Sequence, residues 1–114
     1  MVIVDDHACF RDAARQLLEA RGYEVIAEAG CATTAWDAVE RHAPEAVLLD
    51  VRLGADDGFS VCGALTRARP DLAVLLTSTD EHGEDSEELL ARCGARGFVR
   101  KSNLPRTDLT KFWP

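Results

Sequence analysis

The sequence predicts an α/β fold, a doubly wound parallel sheet in one domain, and three observations carry that expectation. Short apolar runs suited to strands recur along the chain: Val2-Ile3-Val4, Val25 with Ala27, Ala46-Val47-Leu48-Leu49, Leu72 to Leu76, and Gly97-Phe98-Val99. Stretches with apolar residues at helical spacing separate them. Gly22, Pro44, Pro70 and Gly94 punctuate the boundaries. Strands and helices in alternation give right-handed crossovers, hence a parallel sheet covered on both faces.

Each element has its own justification. Val2 to Val4 forms the first strand, and Phe10, Ala13, Ala14, Leu17 and Leu18 mark the buried side of a first helix that stops at Gly22. Tyr23 to Ala29 alternates Val25 and Ala27 with Glu24 and Glu28, a short strand pattern. Thr33 or Thr34 caps a second helix carrying Ala35, Trp36 and Val39 up to Pro44. The third strand ends at Asp50. The loop 52–58 leads into a helix with Phe59, Cys62 and Leu65, closed by Pro70. The fourth strand, Leu72 to Leu76, ends at Thr77-Ser78-Thr79. The acidic stretch Asp80, Glu81, Glu84, Asp85, Glu87 and Glu88 opens a fourth helix, where carboxylates suit the positive end of the helix dipole, and Gly94 takes its C-cap. Gly97 to Arg100 is a fifth strand that delivers Lys101. Asn103 followed by Pro105 starts a short last helix with Leu109, Phe112 and Trp113 on its apolar side.

A length of 114 residues, 46% hydrophobic and 29% charged, suffices for one globular core without disulfides or a structural metal. A single domain over residues 1–114 is expected. No apolar run approaches the roughly 20 residues that cross a bilayer, and no basic segment leads into an apolar one at the amino terminus. The expectation is a cytoplasmic protein with no membrane partner. A net charge of −7 argues against direct nucleic-acid binding, which needs a basic surface. Cys9, Cys31, Cys62 and Cys93 stand singly, without metal or redox spacing, and are expected to be reduced packing residues. His42 and His82 have no metal-ligand spacing and receive no role.

The chemistry concentrates at strand ends. Asp5 and Asp6 close the first apolar run, Asp50 the third, Thr77 the fourth, and Lys101 the fifth. In a parallel sheet these ends share one edge, where open α/β sheets bind ligands. Three converging carboxylates repel one another unless a cation neutralises them, and hard oxygen ligands favour Mg²⁺. The expected site is a divalent ion beside one reactive aspartate.

These residues also fall in motifs. Val-Asp-Asp-His at 4–7, Val-Leu-Leu-Asp at 47–50, Asp57-Gly58, Leu-Leu-Thr-Ser at 75–78 and Gly-Phe-Val-Arg-Lys at 97–101 resemble, in order and over essentially the whole chain, the receiver domains of two-component response regulators. His7 and Phe10-Arg11 resemble in particular the branch that often carries a helix-turn-helix output domain; no output domain is expected in this chain. The resemblance implies a flavodoxin-like (βα)5 fold with a five-stranded sheet in the order 2-1-3-4-5. It implies a phosphorylation-activated switch in which Asp50 accepts a phosphoryl group from the phosphohistidine of a partner sensor histidine kinase. Asp6 would bind Mg²⁺ (or Mn²⁺) directly and Asp5 through water, with Asp50 itself and the Val51 backbone carbonyl completing the set. Lys101 would supply the counter-charge, and the Thr77 hydroxyl would hydrogen-bond a phosphoryl oxygen. Beyond its own phosphoryl transfer and dephosphorylation the domain is not expected to be an enzyme. A second copy of the chain is the further implied partner, through the face of helix 4, strand 5 and helix 5.

In the family an aromatic residue on strand five turns inward with the threonine. Phe98 holds that position and is either this switch or a permanent core residue. Ser102 and Gly54 stand where family members frequently have proline, and Gly54 predicts a more mobile loop. Arg52 and Thr79 occupy positions that influence water attack on the acyl phosphate; Arg52 either shields the phosphoryl group or is simply exposed. A phosphohydrolase would place its nucleophile after strand one with a second acid two residues on, and a flavodoxin-like carrier needs a phosphate loop that Asp5-Asp6-His7 would repel. The alternative that stays open is a degenerate receiver acting as a phosphorylation-independent docking module.

Overall fold

The computed structural model describes residues 1–79 and 87–113. Five parallel strands, β1 (Val2–Val4), β2 (Ala27–Ala29), β3 (Ala46–Asp50), β4 (Ala73–Ser78) and β5 (Gly97–Arg100), form one sheet in the order β2-β1-β3-β4-β5. Helices α1 (Ala8–Ala20), α2 (Ala32–His42), α3 (Gly58–Ala68) and α4 (Glu87–Cys93) connect them. From β1 the chain first adds β2 on one side and then crosses back to β3 on the other. That reversal opens a crevice between the carboxyl ends of β1 and β3, the usual ligand position in such sheets. The expected fold and strand order are both observed.

Alternation along the strands sorts the core into two layers. Val2, Val4, Val47, Leu49, Val74 and Leu76 pack against α2, α3 and α4, whereas Ile3, Leu48, Leu75 and Val99 pack against α1 and the C-terminal residues Leu104, Leu109 and Trp113. Each of these large side chains contributes about 1.5–3 kcal/mol by leaving water. Asp5, Asp50, Thr77 and Lys101 each lie two residues beyond a member of the second layer, so they continue its parity toward the α1 side.

Several local expectations need correction. The second strand begins at Ala27, not Tyr23, because β1 starts at Val2 and offers ladder partners only to Ala27–Ala29. The cap of α2 is Cys31; Thr34 instead sits in the first turn, where its hydroxyl accepts the Cys31 N–H at 3.3 Å. The segment after Asp50 is a small antiparallel hairpin, Arg52–Leu53 against Asp56–Asp57, and Gly54 makes its turn at φ +59°. Leu53 is buried, while Arg52, Gly54, Asp56 and Asp57 are exposed.

The expected last helix is two 3₁₀ turns, Lys101–Arg106 and Leu109–Lys111. Pro105 lacks the N–H an α-helical bond would need, and Asp108 caps a new turn by accepting the Thr110 N–H at 3.1 Å. The apolar side is nevertheless as expected: Leu104, Leu109 and Trp113 are buried. Trp113 donates Nε1–H to the Ala73 carbonyl at 3.2 Å and meets Tyr23 edge-on at 5.6 Å.

All four cysteines are free; Cys62 and Cys93 are buried, and Cys62 Sγ donates to the Cys93 carbonyl at 3.2 Å. Burial, backed by the neighbouring Cys93, pushes the Cys62 thiol above its ordinary range. The acidic start of helix four over 80–86, with His82, lies outside the described residues. Among those described, no helix is long and apolar enough to cross a membrane.

Candidate metal and phosphoryl site

The turn after β1 is fixed from three directions. Asp5 continues the sheet by donating its N–H to the Ala29 carbonyl at 2.9 Å, and its own carbonyl accepts Arg11 Nη1 at 2.6 Å. Its Oδ1 accepts the His7 N–H at 2.8 Å, the local side-chain bond that makes Asp a turn residue. Arg11 also donates Nε–H to Glu28 Oε1 at 3.1 Å, tying the first turn of α1 to β2. Asp5 is thereby buried while Asp6 stays exposed. The His7 ring follows them, with Nδ1 3.0 Å from Asp6 Oδ1 and 3.2 Å from Asp5 Oδ1.

Asp50 ends β3 beside Thr77 of β4, and the ladder continues one step further through Val51 N–H to the Thr77 carbonyl at 2.9 Å. Its carboxylate is held by two donors, the Arg52 N–H to Oδ1 at 3.1 Å and Lys101 Nζ to Oδ2 at 3.2 Å. Gly58, the first residue of α3, backs this turn: it donates N–H to the Val51 carbonyl at 2.7 Å. A Cβ at Gly58 would collide with the Asp50 carbonyl oxygen and the Val51 backbone.

Lys101 leaves β5 and reaches inward, 9% exposed, to 2.6 Å from Asp5 Oδ2. Its ammonium also lies 4.3 Å from the centroid of the Phe10 ring, a cation–π contact. One buried cation thus serves two buried carboxylates. Burial holds the Asp50 carboxyl above the usual aspartate range; the Arg52 N–H opposes this, the Asp5 charge adds to it, and Lys101 opposes it again.

Thr77 is fully buried, and its Oγ1 has no hydrogen-bond partner among the described residues. Buried hydroxyls are nearly always satisfied, so an orphan beside Asp50 points to an acceptor that arrives from outside. The donor set suits a cation: one ligand atom each from Asp5, Asp6, His7 and Asp50 lies within 4.8 Å of all the others. Ligands around one ion with bonds of about 2.1 Å are roughly 3 to 4.2 Å apart, so small adjustments close the set.

Of the residues expected from sequence, Asp5, Asp6, Asp50 and Lys101 converge in one site, with Thr77 one strand away. Val51 is buried beneath it, its carbonyl already accepting the Gly58 amide. Phe98 is elsewhere: half-buried, it packs on the opposite layer with α3 and α4. Thr79 is exposed and joins His7, Phe10, Lys101 and Leu104 around a cleft of about 600 Å³ beside the site. The sequence places Phe10 on the buried side of the first helix and Arg11 only in a motif, and assigns neither to the site. Their spacing from Asp5 on the first turn of α1 was the available signal that they face back toward it.

The model of the response regulator receiver domain matches residues 1–111. The chain is 33% identical over 110 residues to the nitrate/nitrite response regulator protein NarP of Escherichia coli, covering 96% of this chain and 51% of that protein. It is 31% identical to a protein-glutamate methylesterase/protein-glutamine glutaminase of Shewanella sp. (strain MR-4), covering 91% of this chain and 30% of that one. Among solved structures, a LuxR-family two-component response regulator from Aurantimonas sp. SI85-9A1 superposes with a TM-score of 0.83 at 29% identity, covering 92% of this chain and 75% of that one. A CheY-like receiver domain protein from Methanospirillum hungatei JF-1 gives 0.81 at 25% identity, covering 92% and 82%. The chain therefore spans about a third to a half of these curated relatives. With the acids, hydroxyl and lysine gathered at the switch point of the matching fold, the chain belongs to the response regulator receiver domain family of two-component systems.

Proposed function

We propose that this domain is a phosphorylation-activated switch, taking a phosphoryl group on Asp50 from a sensor histidine kinase in an Mg²⁺-dependent (or Mn²⁺-dependent) reaction. The observation that carries the reading is the buried Asp50 carboxylate, held at the β1/β3 crevice by Lys101 and the Arg52 amide, beside a Thr77 hydroxyl that has no partner among the described residues. A carboxylate oxygen of Asp50 attacks phosphorus in line; the new O–P bond forms as the P–N bond of the phosphohistidine breaks, and the imidazole leaves with the electron pair. Two donors fix the carboxylate for that approach, so orientation is settled before encounter.

Asp6 and Asp50 would hold the ion directly and Asp5 through water. The Val51 carbonyl is the weakest of the proposed ligands because Gly58 already uses it. When bound, the ion neutralises the acids and the incoming phosphoryl oxygens as a Lewis acid. Lys101 meets the phosphoryl charge from the other side, and Thr77 donates its hydroxyl to a phosphoryl oxygen.

The phosphoryl group replaces one charge by about two and adds strong acceptors. Drawing Thr77 toward it disturbs β4, next to which Phe98 pairs with Leu76. The proposed readout is the face of α4, β5 and the 3₁₀ turns, the last standing in for the expected helix 5. A second copy of the chain is the proposed partner there, and the proposed setting is the cytoplasm. Moving a mostly inactive population to a mostly active one takes about 5.5 kcal/mol, within reach of several charge-assisted hydrogen bonds.

Intact mass after incubation with Mg²⁺ and a small acyl-phosphate donor tests the reading. One phosphoryl adduct is expected, dependent on metal and absent from Asp50→Asn. A folded, metal-binding protein that takes no phosphoryl group from either the donor or a histidine kinase would leave the docking module as the function.

A further inference from the structure

We infer that His7 is itself a ligand of this ion site, and that the site consequently takes a first-row transition ion of the Zn²⁺ or Co²⁺ kind more tightly than Mg²⁺. The inference rests on reading Asp5, Asp6 and Asp50 as an ion site, and goes beyond it in naming a nitrogen donor and a different class of ion.

Geometry is the first argument. Neighbouring ligands on an ion with bonds of about 2.1 Å stand about 3.0 Å apart in an octahedral shell and about 3.4 Å apart in a tetrahedral one. His7 Nδ1 lies 3.0 Å from Asp6 Oδ1 and 3.2 Å from Asp5 Oδ1. The imidazole nitrogen thus already has shell spacing to a carboxylate oxygen of each acid, and one ligand atom each from Asp5, Asp6, His7 and Asp50 lies within 4.8 Å of the others. A transition ion takes the place of the hydrogen bonds that now join the imidazole to the carboxylates, and Asp5, which would meet Mg²⁺ through water, ligates it directly.

Preorganisation is the second. The His7 N–H bond to Asp5 Oδ1 at 2.8 Å fixes the residue that carries the ring, and His7 is also the N-cap position of α1. Lys101 and Arg11 hold Asp5 by its other carboxylate oxygen and its carbonyl. The ring is 69% exposed, so an ion reaches it without opening the core.

Chemistry is the third. A purely oxygen site suits Mg²⁺, whereas an imidazole favours first-row transition ions, whose affinities rise from Mn²⁺ toward Cu²⁺. A transition ion held here engages the carboxylates that Mg²⁺ needs, so the two ions compete.

The test is calorimetric titration of the chain with Co²⁺ and, separately, Mg²⁺, repeated for His7→Ala and Cys9→Ser, with folding checked by circular dichroism. Wild type is expected to bind Co²⁺ more tightly than Mg²⁺, and His7→Ala to reduce that ratio at least about tenfold. Mg²⁺ binding with a ratio unchanged in His7→Ala overturns the role of His7 and leaves the acid site standing. Failure of wild type to bind Mg²⁺ at all overturns the acid site and this inference with it. A ratio lost in Cys9→Ser instead assigns the soft donor to a thiolate and also overturns it.

Discussion

The ammonium of Lys101 sits 2.6 Å from Oδ2 of the buried Asp5. It approaches Asp50, its other partner, to 3.2 Å. Two buried carboxylates share this lysine, which makes it a structural counter-ion as well as a proposed phosphoryl ligand. Removing it strands both charges, and an unpaired buried charge costs about 3–5 kcal/mol. Lys101→Met should therefore lose about that much stability without metal, and Mg²⁺ should restore part of it by binding only the folded state. Urea melts with chelator and with Mg²⁺ measure both effects. A variant as stable as wild type in chelator would show that the two acids do not depend on the lysine.

Asp50 gives a pH prediction with a definite sign. Burial, the leading cause, holds its folded-state value above the unfolded one, so the folded chain binds more protons between the two. Wild-type stability from this group falls as pH rises out of the ordinary aspartate range through the raised value, and the penalty is complete above it. Asn carries no charge. Metal-free Asp50→Asn should melt above wild type at pH 7, with the difference shrinking as the pH is lowered through that window. A lower melting temperature for the variant at pH 7 would mean that Lys101 and the Arg52 amide outweigh burial.

Gly58 links folding to chemistry in one atom. Its missing Cβ leaves room for the Asp50 carbonyl and Val51, and its N–H holds the Val51 carbonyl at 2.7 Å. Gly58→Ala must move α3 or the Asp50 turn, at about 1–3 kcal/mol for overpacking. A displacement of about 1 Å at the nucleophile slows transfer roughly 100-fold. Denaturation and the rate of uptake from an acyl phosphate should thus fall together. Loss of stability with an unchanged rate would place the adjustment in α3.

The site was legible in the sequence because its residues stand at strand ends, and apolar runs such as Ala46–Leu49 and Val74–Leu76 fix where strands end. Parity did the rest: Asp50 follows Leu48, and Thr77 follows Leu75, onto one face. What could not be read depended on strand partners distant in sequence or on which of several local capping residues takes the helix end. The length of β2 is set by β1, not by its own alternation. Pro105 looked like a helix start, but Asp108 caps a new turn only three residues later and the segment stays 3₁₀. Cys31 takes a cap that Thr33 and Thr34 suit better by propensity, because Thr34 serves from inside the helix. The fixing of Asp5 by Arg11 requires knowing that α1 begins at Ala8 and aims its first turn back at the strand.

Arg52, exposed, stands two residues beyond Asp50 in the hairpin, opposite Asp57, and its N–H already holds the carboxylate. We hypothesise that its guanidinium pairs with the phosphoryl group on Asp50 and shields it from water, because the hairpin fixes the residue at the rim. Loss of one charge-assisted bond of about 1.5 kcal/mol corresponds to roughly tenfold in rate. Arg52→Ala should therefore shorten the acyl-phosphate lifetime about tenfold, while the backbone bond to Asp50, and with it the rate of uptake, changes little. The decay of the phosphorylated mass in chelator after removing the donor measures this. Equal lifetimes in the two proteins would return Arg52 to the role of a solvated surface residue.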